Sequence, residues 1–226
     1  MTPAVESLQR FLARHAADRR PPVEPEVKEL LRGLGVPVPA GVFIPAGRAI
    51  PAPLPLTYPL VAKVVAPGIS GKTEVGGVRL GLRDAGALAA AVAGLAAIPG
   101  AAGVLVEEEA RPGVEVIVGG VIDPQFGPVV MFGLGGVAVE LFRDVAFALA
   151  PLERGAARRL AAAPKGAALL HGWRGRPAVD REALVSLIVT VSELIGSGLL
   201  EEIDLNPVLL YPDGAMVVDA KLKRRE

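Results

Sequence analysis

The stretch EIDLNPVLLYPDGAMVVDAK, residues 202–221, reads as two apolar strands around a Pro-Asp-Gly turn, yet both arms carry polar groups. A four-residue turn, Tyr211 to Gly214, sets Asn206 opposite Asp219 and Asp204 opposite Lys221. Leu209 then faces Met216, Leu205 faces Ala220 and Ile203 faces Leu222, which predicts one apolar face for packing and one polar face. Opposed side chains start only about 4.5–5.5 Å apart. An amide oxygen and a carboxylate at that spacing suit one hard cation, and magnesium takes few protein carboxylates, leaving room for water and phosphate oxygens. The same pattern also fits a solvated outer face with one Asp–Lys pair.

Lysine is scarce, with only six in 226 residues, so each invites a role. Lys63 sits in the apolar run LVAKVVA, a buried strand. A buried ammonium needs an anion, either a neighbouring glutamate or a bound phosphate. Lys72 lies in PGISGKTEVGG, residues 67–77, with four glycines. Glycine exposes backbone N–H groups that can wrap phosphate, although a plain hairpin loop has the same composition. The spacing is not that of a Walker A loop, because Gly68 precedes Gly71 by three residues.

The elements that must position these groups follow from periodicity and caps. Residues 3–18 predict an amphipathic helix with Val5, Leu8, Leu12 and Phe11 on one face; RRPPVEP breaks the chain, and 25–34 form a short helix ended by Gly35. Too many prolines stand in PAGRAIPAPLPLTYP for anything but an extended loop. Strands are expected over 60–66, 77–82, 103–110, 114–123, PVVMFGL and VAFALA. Asp84 caps a helix to residue 98, and further helices cover 153–163 and 180–197, the last striped by Leu184, Leu187, Ile188, Val191, Leu194 and Ile195. This mixture lacks strict βαβ alternation and predicts an α+β fold in two lobes.

Composition narrows the function classes. Twenty-four basic and 24 acidic residues cancel, which argues against nucleic acid or an anionic membrane as partner. Without cysteine there is no disulfide, thiol catalysis or thiolate zinc site. No run approaches the length of a membrane span, and the N-terminal stretch lacks the apolar core of a signal peptide, so a cytoplasmic location is expected. His15 and His171 fall outside the phosphate-type loop and read as packing or surface histidines.

Taken in order, KELLRGLGVPVP, YPLVAKVVAPGISGKTEVGGVRLGL, the run from GVLVEEEARPGVE through DPQFGPVVMFGLGG to FALAPL, LLHGWRGRPAVD and the closing hairpin resemble the ATP-grasp domain of ADP-forming acyl-CoA (acetyl-CoA) synthetase β subunits, over about residues 24–223. Succinyl-CoA synthetase β subunits are more distantly similar. The resemblance implies the ATP-grasp fold, two α/β lobes with a nucleotide cleft between them: an N-terminal helix at 1–20, a first lobe at 21–106 and a second at 107–226. It implies ATP or ADP with Mg2+ as cofactors, and an α subunit carrying the CoA-binding and ligase domains as partner.

Residue by residue, the resemblance makes Asn206 and Asp219 the metal ligands. Asp204 becomes an acidic group beside the phosphoryl-transfer site that orients a histidine, and Lys63 and Lys72 grip phosphates. Glu107 accepts from the adenine amino group, with Glu108 and Ala110 as backbone contacts, and Glu115 accepts from ribose hydroxyls. A solvent-facing acidic edge is the competing reading of Glu108 and Glu109. GLGG at 133–136, with Glu140 and Asp144, resembles a loop approaching the transferred phosphate. One departure stands out: many β subunits carry a histidine just before the loop lysine, where this chain has Gly71. Either a partner histidine reaches the nucleotide directly or the phosphoryl relay is lost. In the second case the chain is a non-catalytic module that regulates or scaffolds a CoA-dependent partner.

Overall fold

The computed structural model describes residues 2–16, 20–67, 76–136, 144–175 and 177–225. The described chain divides into two compact units, one of Val23–Pro25 with Pro39–Arg111 and one of Met1–Pro22, Glu26–Val38 and Pro112–Glu226.

In the smaller unit an antiparallel sheet has the order β1-β4-β2-β3, built from β1 (Gly41–Pro45), β2 (Leu60–Val65), β3 (Val78–Leu82) and β4 (Gly103–Glu108). Every residue of β2 is buried, as its unbroken apolar run requires of a strand covered on both faces. Along one face Ile44, Leu60, Ala62, Val64, Val104 and Val106 pack with Leu88, Val92 and Leu95 of a helix, α3 (Ala85–Ala96). Asp84 starts that helix by accepting the Ala87 N–H at 2.8 Å. Period-2 alternation leaves Lys63 and Glu107 on the sheet's other face. The strand β1 is absent from the expectations above: five residues ending in proline at a sheet edge carry too little periodicity to be recognised.

The larger unit is built on a six-stranded antiparallel sheet, β10-β8-β5-β6-β7, with β9 pairing β8 beyond β10. Its strands are β5 (Val114–Asp123), β6 (Gly127–Leu134), β7 (Val145–Leu149), β8 (Leu200–Tyr211), β9 (Gly214–Val217) and β10 (Ala220–Arg224). One face packs on α5 (Arg181–Gly196), whose expected stripe from Leu184 to Ile195 is wholly buried. Asp180 caps α5 through the N–H groups of Glu182 and Ala183. Helix α4 (Arg154–Ala162), a 3-10 segment (Lys165–His171), α1 (Pro3–Arg14) and most of α2 (Glu24–Gly33) complete this unit. The sequence marks Leu8 and Phe11 of α1 as an apolar stripe, and both are buried in this core. The apolar face of α1 is therefore not a free docking surface. No described helix is long and apolar enough to cross a membrane.

Candidate functional site

The closing hairpin has the expected register. Leu209 pairs with Met216, Leu205 with Ala220, Asp204 with Lys221 and Ile203 with Leu222. Between the two ladders the Asn206 N–H donates to the Asp219 carbonyl at 3.2 Å, and the Val218 N–H to the Pro207 carbonyl at 3.0 Å. Asn206 thus lies opposite Asp219.

The expected faces need correcting. Ile203, Leu205, Ala220 and Leu222 belong to the main core cluster of this unit, whereas Leu209 is buried outside that cluster and Met216 is half-buried; Val208, Leu210 and Val217 continue the cluster's side. The cause is in β5. Val118 pairs with Leu205 and Val116 with Val208, so two residues of β8, Asn206 and Pro207, stand against the single residue Ile117. A bulge of this kind reverses the alternation beyond it, and bulges re-aim side chains beside functional sites. It coincides with the gap between β9 and β10 at Val218 and Asp219.

Around this break Asp204 is half-buried, opposite Gly119 on one side and Lys221 on the other. Burial pushes the Asp204 carboxyl above its usual range; Lys221 opposes that shift, while Glu202 and Asp219 add to it. Asp219 Oδ1 accepts its neighbour Ala220's N–H at 2.8 Å. Lys28, only 2% exposed, donates from Nζ to the Val218 carbonyl at 2.5 Å and so holds the backbone next to Asp219.

Backbone pairing thus sets an amide residue, Asn206, opposite a carboxylate residue, Asp219, with a second carboxylate residue, Asp204, two positions before Asn206; oxygen donors of these types suit a hard cation. Among the described residues no cluster of three or more His, Cys, Asp or Glu is placed to hold a metal.

Glu115 of β5 lies in the same unit, against the glycine loop. Its carbonyl accepts the Gly135 N–H at 2.7 Å, and a Cβ at Gly135 would come within 2.9 Å of Glu115. Gly135 thus permits a backbone approach that no other residue allows. The two carboxylate oxygens of Asp144 accept the N–H groups of Lys165 and Gly166, each at 2.7 Å, at the start of the 3-10 segment. Lys72, Gly71 and Glu140 lie outside the described residues.

The smaller unit holds the other candidates. Lys63 pairs with Leu105 across β2 and β4, so Glu107 is its diagonal neighbour, within reach of a long side chain. Lys63 Nζ lies 2.7 Å from Glu107 Oε2 and 3.0 Å from Glu24 Oε1. The buried ammonium thus has carboxylate partners. Glu24 was missed in the sequence because nothing local links the start of α2 to β2. Gly41 was missed as well: it pairs with Glu107, and a Cβ there would sit 2.8 Å from Glu107 Cγ. Glu108 accepts the N–H of Thr57 in the proline-rich loop at 2.8 Å, and Glu109 that of Gly81 in β3 at 3.0 Å. Ala110 follows the end of β4. Both histidines make local contacts, His15 Nδ1 with the Phe11 carbonyl at 2.9 Å and His171 Nδ1 with Arg181 at 3.4 Å.

Comparison with known proteins gives a consistent picture. Residues 13–223 match the family described as an ATP-grasp domain. The β subunit of ADP-forming acetate–CoA ligase I from Pyrococcus furiosus is 37% identical over 227 residues, covering 96% of this chain and 98% of that protein. Among solved structures, dinucleotide-forming acetyl-coenzyme A synthetase 1 of Ca. Korarchaeum cryptofilum, in complex with coenzyme A, Ca-AMPCP and HgCl+, superposes with a TM-score of 0.87 at 38% identity, covering 97% of this chain and all of that one. A second structure of that enzyme, with coenzyme A and Mg-AMPPCP and its phosphohistidine segment pointing towards the nucleotide binding site, gives a TM-score of 0.80 at 37% identity, covering 98% of this chain and all of that one.

Proposed function

The chain belongs to the ATP-grasp domain family, and on that premise we propose that it is the nucleotide-binding β subunit of an ADP-forming acyl-CoA synthetase, an acid–thiol ligase. Acyl-CoA, ADP and phosphate would be converted to the acid, CoA and ATP. The observation that carries this reading is the opposition of Asn206 and Asp219 at the β8 bulge, together with relatives that are named ADP-forming acetate–CoA ligase β subunits.

The step assigned to this chain is phosphoryl transfer. The P–N bond of a phosphohistidine on a partner subunit breaks, a P–O bond forms to the terminal oxygen of ADP, and the imidazole takes up a proton. Asn206 and Asp219 would hold Mg2+, which when bound spreads the charge of the phosphate oxygens. Lys63 and Lys72 offset phosphate charge, and Asp204 orients the incoming histidine. Glu107 accepts from the adenine amino group, with the backbone of Glu108 and Ala110 along the ring edge, while Glu115 accepts from the ribose hydroxyls. Catalysis of this kind is positioning and electrostatics. The partner is an α subunit carrying the CoA-binding and ligase domains, and a cysteine-free chain suits a reducing cytoplasm.

Gly71 supports a second reading, a nucleotide-binding module that regulates or scaffolds a CoA-dependent partner. One experiment decides. The chain is mixed with its α subunit, acetyl-CoA, ADP, phosphate and Mg2+, and ATP is measured. Synthesis of ATP that needs both subunits is expected; binding of ADP without any turnover would favour the scaffold.

A further inference from the structure

Helix α1 buries its apolar stripe, so what it offers outward is its polar face. Ser7, Arg10 and Arg14 follow one another there at helical spacing. With Ala13 they form one wall of a groove of about 790 Å³, and Glu29, Leu30 and Arg32 of α2 form the other. Both walls belong to the larger unit. We propose that this groove receives an acidic segment of the partner α subunit, with Arg10 and Arg14 binding its carboxylates, an inference that rests on the partner given in the proposed function.

Two like charges four residues apart on one helix repel each other, and little in the groove relieves that repulsion. Arg10 Nη2 donates to the Ser7 hydroxyl at 3.1 Å, a neutral partner. Arg14 Nη1 lies 4.0 Å from Glu29 Oε1, with side chains 63% and 67% exposed. An ion pair so long and so exposed is weak. A guanidinium offers five N–H donors in a fixed fork, so Arg10 and Arg14 both keep donors for a ligand. Arg32, which has a further interaction, completes the rim.

The fork of arginine matches carboxylate and phosphate alike, and the rest of the lining favours a peptide. Leu30 is buried in the groove beside the exposed Ala13, which gives it an apolar strip under a charged rim. An apolar centre with a polar rim is the anatomy of a protein–protein contact, and arginine is enriched there. Glu29 repels a compact anion, whereas a peptide can set a basic side chain against it. Exposed rim charges act mainly on encounter, raising the association rate more than they slow dissociation. The groove is thus a steering surface on the side of α1 that the core leaves uncovered.

The test is the rate at which the whole chain associates with its α subunit, followed by surface plasmon resonance. Salt is set at about 0.01 M and again at about 1 M, where the screening length falls from about 30 Å to about 3 Å. Arg10→Glu with Arg14→Glu should slow association about tenfold in low salt and change dissociation far less. High salt should erase the difference, and ADP affinity by calorimetry should stay at the wild-type value. Glu29→Gln should speed association, a gain that a damaged fold does not produce. Arg48→Glu with Arg83→Glu makes the same change of charge on exposed arginines of the smaller unit, and should matter little. An unchanged rate in the Arg10 and Arg14 double variant overturns the proposal, as does an equal slowing in the Arg48 and Arg83 control. Should the first double variant not fold, an unchanged rate in Glu29→Gln overturns it. Pyrophosphate is titrated into wild type and the first double variant; a binding event lost only in the variant would make the groove a small-anion site and overturn the proposal too. A wild type that does not associate with the α subunit refutes the partner in the proposed function instead.

Discussion

Lys28 Nζ donates to the carbonyl oxygen of Val218, the residue that precedes Asp219. A lysine 2% exposed spends its charge on a main-chain oxygen beside a candidate metal ligand. Lys28→Met keeps the length and apolar bulk of the side chain but leaves the Val218 carbonyl without this donor. Losing one partner of a buried hydrogen bond costs about 1–3 kcal/mol. We expect a stability loss of that order in urea titration, together with weaker Mg2+-dependent ADP binding by calorimetry. A variant that loses stability but binds ADP as tightly as wild type would separate Lys28 from the site.

Asp219→Ala should abolish Mg2+-dependent nucleotide binding, because the amide of Asn206 alone is a poor magnesium ligand. Asp204→Asn should behave differently: ADP binding stays within about threefold of wild type, while ATP formation with the α subunit drops more than tenfold. Calorimetry and a coupled ATP assay on the two variants check the division of labour. Equal effects in both assays would merge the two roles.

Gly41→Ala places a Cβ 2.8 Å from Glu107 Cγ and 3.1 Å from the Val106 carbonyl oxygen. The backbone oxygen is held in the sheet, so the Glu107 side chain is the part that must yield. We expect ADP affinity to fall about tenfold while the secondary structure by circular dichroism stays unchanged. Retained affinity would show that the position of Glu107 does not matter to the nucleotide.

Glu182 supplies the pH prediction. Its hydrogen bond with Arg158, then that with Arg154, holds its carboxyl below the usual carboxylate range. A folded value below the unfolded one adds stability that is present above the unfolded pKa and disappears as pH falls through the folded pKa. Glu182→Gln should therefore melt slightly below wild type at pH 7, with the gap closing as the medium is acidified below about pH 4. Both helices are exposed at these residues, so high salt should narrow the gap as well. Melting curves across pH and salt test both trends.

Much of the architecture is legible in the chain itself. The stripe of α5, the caps Asp84 and Asp180, the buried run of β2 and the pairing of Asn206 with Asp219 all follow from local spacing, because each depends on residues close together in sequence. Membership of the family is legible too, since the motifs keep their order along residues 13–223.

Tertiary structure alone decided three things. The core-facing alternation of β8 reverses at Asn206–Pro207 because β5 supplies one residue where β8 has two, and a hairpin read by itself contains no β5. Glu24 and Glu107, 83 positions apart, meet on the ammonium of Lys63 because sheet pairing and the start of α2 bring them there. Lys28 reaches Val218 across 190 positions. Periodicity and capping are local, whereas the electrostatic environment of a buried charge is set by whichever distant groups the packed chain delivers to it.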